Sequence, residues 1–302
     1  MTARIHQMTI PEFERMFPDE TACAAYLVAH RWPDGVKCPR CGLCEKIAAV
    51  VTMPFKWQCY SCSPDTGYRF SHIAGTVFEN TNKPLRDWFR VIHMMMTSKK
   101  GVSALQIQRV MGFGSYKTAH YMCHRIRAAL MDEDFQKLVG IVEVDETFVG
   151  GKAKNRHVGK RNLGQGTGGG GSGKAIVAGA VQRKGNVVAR VIQNTKAPTL
   201  RAFIAEAVSD KVSLLCADAF RGYASLKDKY PHGAVDHAQG EYVIGAVHTQ
   251  TIEGFWSLVK RGMVGTFHKV SAKYLPLYVA EFEFRYNNRH NEDIFGAAVG
   301  AC

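Results

Sequence analysis

Two stretches of this 302-residue chain are nearly without acid, although Asp and Glu number 26 in all against 39 Lys and Arg. From Lys83 to Leu130, nine basic residues (Lys83, Arg86, Arg90, Lys99, Lys100, Arg109, Lys117, Arg125, Arg127) face one acid, Asp87. From Gly150 to Lys174, six (Lys152, Lys154, Arg156, Lys160, Arg161, Lys174) face none. These stretches account for the formal net charge of +13, and the remainder is close to neutral. Such a balance favours a polyanionic partner, nucleic acid or an anionic membrane face. Long apolar runs are missing too. None approaches the length needed to span a bilayer, and the polar start "MTARIHQMTIPEFERMF" lacks the apolar stretch of a signal peptide. A cytoplasmic protein with no membrane partner is expected, in which the nine cysteines are metal ligands and buried thiols instead of disulfides. With 46% hydrophobic residues the chain can bury a core and is long enough for two or three domains.

A third absence bears on "GGGGSGKA", residues 168–175, which resembles a phosphate-binding loop in Gly168, Gly173 and Lys174. The hydroxyl that would hold Mg²⁺ is missing, because Ala175 stands in its place. The polar run "KNRHVGKRNLGQGT" ahead of it cannot be the buried strand that a P-loop follows. No nucleotide partner is expected.

"CPRC" (Cys38, Cys41) and "CYSC" (Cys59, Cys62) are two Cys-x2-Cys pairs separated by seventeen residues. Two such knuckles converge four thiolates on one tetrahedral structural Zn²⁺. "FKWQC" and "GYRFS" read as short strands around them, giving a zinc ribbon, with Cys44 left unligated. The next segment is helical. "PLRDWFRVIHMMM" places Leu85, Trp88, Phe89 and Ile92 at i, i+3, i+4 and i+7, with Pro84 suited to a first turn. "SALQIQRVMG" and "SYKTAHYMCHRIRAAL" follow, with Ser103 and Ser115 as N-caps and Gly112 as a stop. The pair resembles a helix-turn-helix whose second helix presents Tyr116 and Lys117 early and carries Arg125; an ordinary basic bundle is the alternative.

From residue 139 the texture turns to strands: "GIVEVDETFV", "KAIVAGAVQR", "NVVARVIQN", a helix "PTLRAFIAEAV", then "VSLLCADAF". A three-stranded meander, a helix and a further strand make an α/β pattern with a mixed sheet, in the order of an RNase H-like core. The expected fold class is α+β multidomain: 1–82 with the zinc ribbon, 83–138 helical and DNA-binding, and 139–302 catalytic with a basic Gly-rich loop at 150–174. That loop reads as a mobile basic arm for a DNA backbone, with a plain disordered insertion as the alternative.

Strands ending at Asp145 in "EVDET" and Asp218 in "LLCADAF" are neighbours in such a sheet, so their carboxylates can share a metal site. In "TIEGFWSLVKRG", Ile252, Phe255, Trp256 and Val259 form one stripe while Glu253, Ser257 and Lys260 share the next. Three carboxylates suit a pair of Mg²⁺ ions, with Mn²⁺ as a substitute, for phosphodiester chemistry that needs no Ser, Tyr or His nucleophile. Lys260 either contacts a phosphate near the metals or is simply solvated on its helix. Glu143 and Glu146 are rival ligands, and Glu143 shares Asp145's face. His248 reads as a hydrogen-bonding residue.

"EVDETFVGGKAKNRH", "ADAFRGYASL", "HTQTIEGFWSLVKRG", "VSAKYLPLYVAEFEFRYNNRH" and "AGTVFENTNKPLRDWF", with the ribbon, resemble the ISXO-type insertion-sequence transposases over about residues 20–290. The resemblance implies a DDE transposase with an RNase H-like catalytic core, in a bacterial cytoplasm and associated with the nucleoid. Such an enzyme binds double-stranded DNA at the terminal inverted repeats of its element and uses Mg²⁺ for strand cleavage and strand transfer into a target. It implies Asp145, Asp218 and Glu253 as the catalytic acids, Lys260 as their basic companion, and a homodimer or higher oligomer that pairs two ends. The family commonly has Asn where this chain has Gln250, which leaves Gln250 and Glu253 as alternatives for the third position. A DNA-binding regulator with an inactive RNase H-like core is the rival reading.

Overall fold

The computed structural model describes residues 8–131, 135–150, 174–218, 229–235 and 248–302, with the backbone alone at 218, 234 and 235. The chain forms two compact units, residues 1–130 with 290–302, and residues 131–289.

In the first unit, α1 (Ile10–Met16) begins with a capping box between Thr9 and Glu12, and α2 (Glu20–Arg31) with Asp19. Strands β1 (Ile47–Ala49), β2 (Lys56–Cys59) and β3 (Tyr68–Ser71) form an antiparallel ribbon in chain order. Helix α3 (Leu85–Thr97) buries Leu85, Trp88, Phe89 and Ile92, the stripe expected from their spacing. Pro84 stands at its N-cap and not inside its first turn, and it offers no side-chain acceptor. Glu20 supplies one from α2, accepting from the Leu85 amide at 2.6 Å and the Arg86 amide at 3.1 Å. Ser103 and Gly112 bound α4 (Ala104–Met111), and Ser115 opens α5 (Tyr116–Ala129). Gly112 takes the left-handed conformation, φ 66°, that ends a helix without cost to glycine.

The sequence reading assigned residues to 302 to the catalytic domain, whereas the structure groups 290–302 with the first unit. The cause is an apolar helix. α9 (Ile294–Ala301; α6 to α8 are given below) buries Ile294, Phe295, Ala298 and Val299 and packs on α2 and α3. The Phe295 ring lies 5.4 Å from that of Phe17 and 5.5 Å from that of Phe89.

The second unit is built on a five-stranded sheet of β4 (Leu138–Val149), β5 (Ala175–Gln182), β6 (Val187–Ile192), β7 (Val208–Asp218) and β8 (His232–Val235). Its order is β6-β5-β4-β7-β8, with β4–β5 and β5–β6 antiparallel and β4–β7 and β7–β8 parallel. This is the mixed sheet expected. Helix α6 (Ala197–Ala207) crosses from β6 to β7 and covers one face, where Leu200, Phe203 and Ile204 meet Val142, Val144, Ala178 and Ala180. On the other face α7 (Gln250–Gly265) and α8 (Leu275–Asn287) bury Ile252, Phe255, Trp256, Val259, Val279 and Phe282 against Val177, Val181, Val187 and Ala189. Side chains alternate along a strand, so Val142 and Val144 face α6, whereas Glu143 and Asp145 face α7.

The open edge of the sheet, β6, is latched by α8. Asn287 accepts from the Val187 amide at 2.7 Å and donates to the Val187 carbonyl at 3.0 Å, and Glu283 accepts from the Ala189 amide at 3.2 Å. Glu283 and Asn287 stand one helical turn apart, and their targets are alternate residues of the strand, the ones with free outward amides.

Candidate active site and metal centre

The four cysteines of the ribbon meet as their spacing requires, with sulfurs all within 4.8 Å of one another. Cys38 and Cys62 Sγ are 3.7 Å apart, as are Cys41 and Cys59 Sγ. A tetrahedron with Zn–S bonds of about 2.3 Å has edges of roughly 3.8 Å, so the donor set fits one zinc ion. Cys44 is exposed and lies outside the cluster. Desolvation raises the Cys59 thiol, but hydrogen bonds from the Cys62 and Ser61 amides and from neighbouring thiols bring it down to about 7. Desolvation and the thiols of Cys41, Cys38 and Cys59 push Cys62 up to about 12. The three strands and Trp32, Trp57 and Phe70 pack around the cluster, and β1 was not read from the sequence.

On α5, Tyr116 and Tyr121 are about half exposed and Lys117 is exposed. Arg125 is engaged differently from a free phosphate ligand. Its guanidinium donates to the Glu79 carbonyl at 3.0 Å, the Thr76 carbonyl at 3.4 Å and the Tyr121 hydroxyl at 2.9 Å. Lys152, Lys154, Arg156, Lys160 and Arg161 lie outside the described residues. Lys174 is described and leads directly into strand β5, whereas the lysine of a P-loop opens a helix. A Cβ on Gly150 would stand 3.0 Å from Lys174 Cγ, so the two ends of that stretch meet at its base.

The acids are placed by the sheet. The parallel pairing of β4 with β7 runs to Val144 opposite Ala217, and Asp145 and Asp218 are the next residue on each strand. Against the expectation that the first strand ends at Asp145, β4 continues to Val149 in its hairpin with β5. Asp145 therefore lies beyond one ladder and within the other. Across from it stands Gly179. A Cβ there would fall 2.5 and 2.7 Å from Trp256 ring carbons and 3.1 Å from Ile252 Cδ1, so α7 lies directly on the strand at the level of Asp145.

Helix α7 exposes Glu253, Lys260 and Gln250 while burying the stripe from Ile252 to Val259. Its N-cap, Thr249, makes no capping bond; the Thr249 hydroxyl donates instead to Glu253 Oε1 at 3.0 Å. The role of Glu143 was not evident in the sequence. This carboxylate is 0% exposed and accepts from the Thr251 amide at 2.7 Å, the Ile252 amide at 3.0 Å, the Thr251 hydroxyl at 2.9 Å and Arg183 Nε at 2.6 Å. His248 Nδ1 lies 3.2 Å from Glu143 Oε1, off the line of a hydrogen bond. Cys216, opposite Glu143 on β7, is buried, and desolvation raises its thiol despite the His248 amide and the Arg183 charge. The only signal for Glu143 was its parity with Asp145; Arg183 gave none, because its partners are distant in sequence.

No helix among the described residues is long and apolar enough to cross a membrane. Residues 137–287 match the ISXO2-like transposase domain, of DDE type, and residues 18–64 match the transposase zinc-ribbon domain. A protein of Halobacterium salinarum described as an "Uncharacterized protein in transposable element ISH50" is 30% identical over 280 residues, covering 90% of this chain and 92% of the relative. A four-cysteine ribbon, a mixed sheet with acids at equal register on neighbouring strands, and these matches across both segments lead to one assignment: the chain belongs to the ISXO2-like transposase family.

Proposed function

We propose that this transposase binds double-stranded DNA at the terminal inverted repeats of an insertion sequence and carries out metal-dependent strand cleavage and strand transfer with Asp145, Asp218 and Glu253. The observation that carries this reading is the matched register of Asp145 and Asp218 one residue past Val144 and Ala217, together with a helix bearing Glu253 held on the same strand. Hard oxygen donors of this kind fit Mg²⁺ or Mn²⁺, and a bound pair of such ions supplies activation of the attacking oxygen and stabilisation of the leaving one. The protein's part is positioning. The strands carry Asp145 and Asp218, α7 would offer the third carboxylate, and the Thr249 hydroxyl donates to Glu253. Lys260, two helical turns along α7, would contact a substrate phosphate. Glu253 is preferred over Gln250 for the third position because a carboxylate is the better ligand for a divalent cation.

DNA contacts are assigned to the exposed start of α5, with Tyr116 and Lys117, and to Lys152, Lys154, Arg156, Lys160, Arg161 and Lys174. For Arg125, phosphate would compete with the two carbonyls it already serves. Two DNA ends must be brought together for transfer, so a dimer or larger assembly acts at the nucleoid, in the cytoplasm. The test is Mg²⁺-dependent cleavage of an oligonucleotide carrying the element end. Wild type is expected to cut and Asp145→Ala to lose at least about 100-fold in rate, the scale of removing one group that stabilises charge in the transition state. Tight, end-specific binding by wild type without cleavage would instead favour a DNA-binding regulator.

A further inference from the structure

We propose that Glu143 and Arg183 form a buried positioning pair that sets the third carboxylate against Asp145; the proposal rests on the catalytic reading above. An ionised carboxylate offers about four lone-pair sites. Glu143 accepts four hydrogen bonds, from two amides and a hydroxyl of α7 and one guanidinium nitrogen, and His248 Nδ1 stands at 3.2 Å off the line of a fifth. No site is left for a metal ion, so Glu143 acts on the reaction through the helix it holds.

The connection is short at both ends. On β4, Glu143 stands two residues before Asp145 on the same face. On α7, its last amide donor, Ile252, is the residue before Glu253. With Thr249 making no cap of its own, the first turn of α7 is bound to the sheet through one buried side chain. Negative charge at that position also suits the positive end of the helix.

Arg183 completes the device. Its amide donates to the Ile141 carbonyl at 3.0 Å, its Nε holds Glu143, and its Nη2 donates to the His248 carbonyl at 3.1 Å and approaches Cys216 Sγ at 3.8 Å. One guanidinium therefore joins β4, β7 and the residues that lead into α7. Sliding the helix by an ångström would move Glu253 relative to Asp145, and misplacement on that scale costs about 100-fold in catalysis.

The experiment compares single-turnover cleavage of an element-end oligonucleotide, at saturating protein and in Mg²⁺, for wild type, Glu143→Gln, Arg183→Lys and Asn287→Ala. DNA affinity and circular dichroism are recorded for each, well below its melting temperature. Glu143→Gln keeps the shape but loses the charge and replaces an acceptor with a donor. It is expected to bind DNA within about two-fold of wild type and to cleave about 10- to 100-fold more slowly. Its Mg²⁺ requirement should move to higher concentration. Arg183→Lys keeps the charge without the fork and should lose less, and it serves where Glu143→Gln does not fold. Asn287→Ala loosens the same unit at the β6 edge without removing any contact of Glu143 or Arg183, and should cleave at the wild-type rate per bound molecule. Glu143→Gln and Arg183→Lys both cleaving at the Asn287→Ala rate would overturn the proposal, leaving the pair merely structural. Recovery of Glu143→Cys by Mn²⁺ would also overturn it, by making Glu143 a ligand. An inactive wild type would refute the catalytic reading itself and the pair's role with it.

Discussion

Two acids on one face of β4 sit in different surroundings, Glu143 buried and Asp145 half-buried. Glu143 lies under the first turn of α7, where amide and guanidinium donors replace water, and Asp145 lies two residues on, opposite a glycine. Parity along the strand was legible in the sequence, because period two puts both on one face. The covering helix was not, since it comes more than a hundred residues later. Gly179 is the reciprocal constraint, the residue whose missing side chain admits the Trp256 ring. Gly179→Ala is expected to destabilise the second unit by about 1–3 kcal/mol through overpacking, read as a lower urea midpoint at unchanged slope. An unshifted midpoint would mean that α7 is held less closely than the geometry shows.

Helix boundaries divide by where their caps come from. Ser103, Gly112 and Ser115 act on amides or carbonyls of their own turn, and these boundaries were readable from local sequence. The starts of α3 and α7 were harder. Glu20 serves one and Glu143 the other, each a glutamate from a different element, and no spacing rule connects them. Strands β1 and β8 escaped although β2 and β3 are as short, because Ile47–Ala49 and His232–Val235 lack the Phe, Tyr and Trp residues that marked the other two. α8 shows a polar pattern with a purpose of its own. In "EFEFRYNN" the residues Glu283 and Asn287 close the β6 edge that would otherwise offer free amides to another chain. Asn287→Ala leaves the Val187 amide and carbonyl without this partner. The expected result is a loss of about 1–3 kcal/mol and faster hydrogen exchange at Val187, with the central strand β4 protected as before. Unchanged exchange at Val187 would show that the latch contributes nothing to the edge.

The molecule as a whole was legible as a ribbon, a helical segment and an RNase H-like core, because cysteine spacing and strand order are local signals in correct sequence. Its partition was not. The last helix returns to the first unit, a long-range pairing driven by apolar surface that no linker composition announces. Two units also imply two responses to metal. Removing zinc with a chelator should unfold the ribbon around Cys38, Cys41, Cys59 and Cys62, because the small ribbon core depends on its ion. The second unit holds none of these ligands and should keep its own thermal transition, seen by calorimetry. Loss of both transitions together would contradict this independence.

The central claim is that Asp145 binds the metal that carries phosphodiester chemistry. It is tested most directly by Asp145→Cys, which exchanges a hard oxygen ligand for a soft sulfur. Strand cleavage and transfer of an element-end oligonucleotide would be measured in Mg²⁺ and in Mn²⁺ for this variant and for wild type. The account predicts activity of wild type in both metals, and of Asp145→Cys in Mn²⁺ with none in Mg²⁺. Equal activity of the variant and wild type in Mg²⁺ would contradict it.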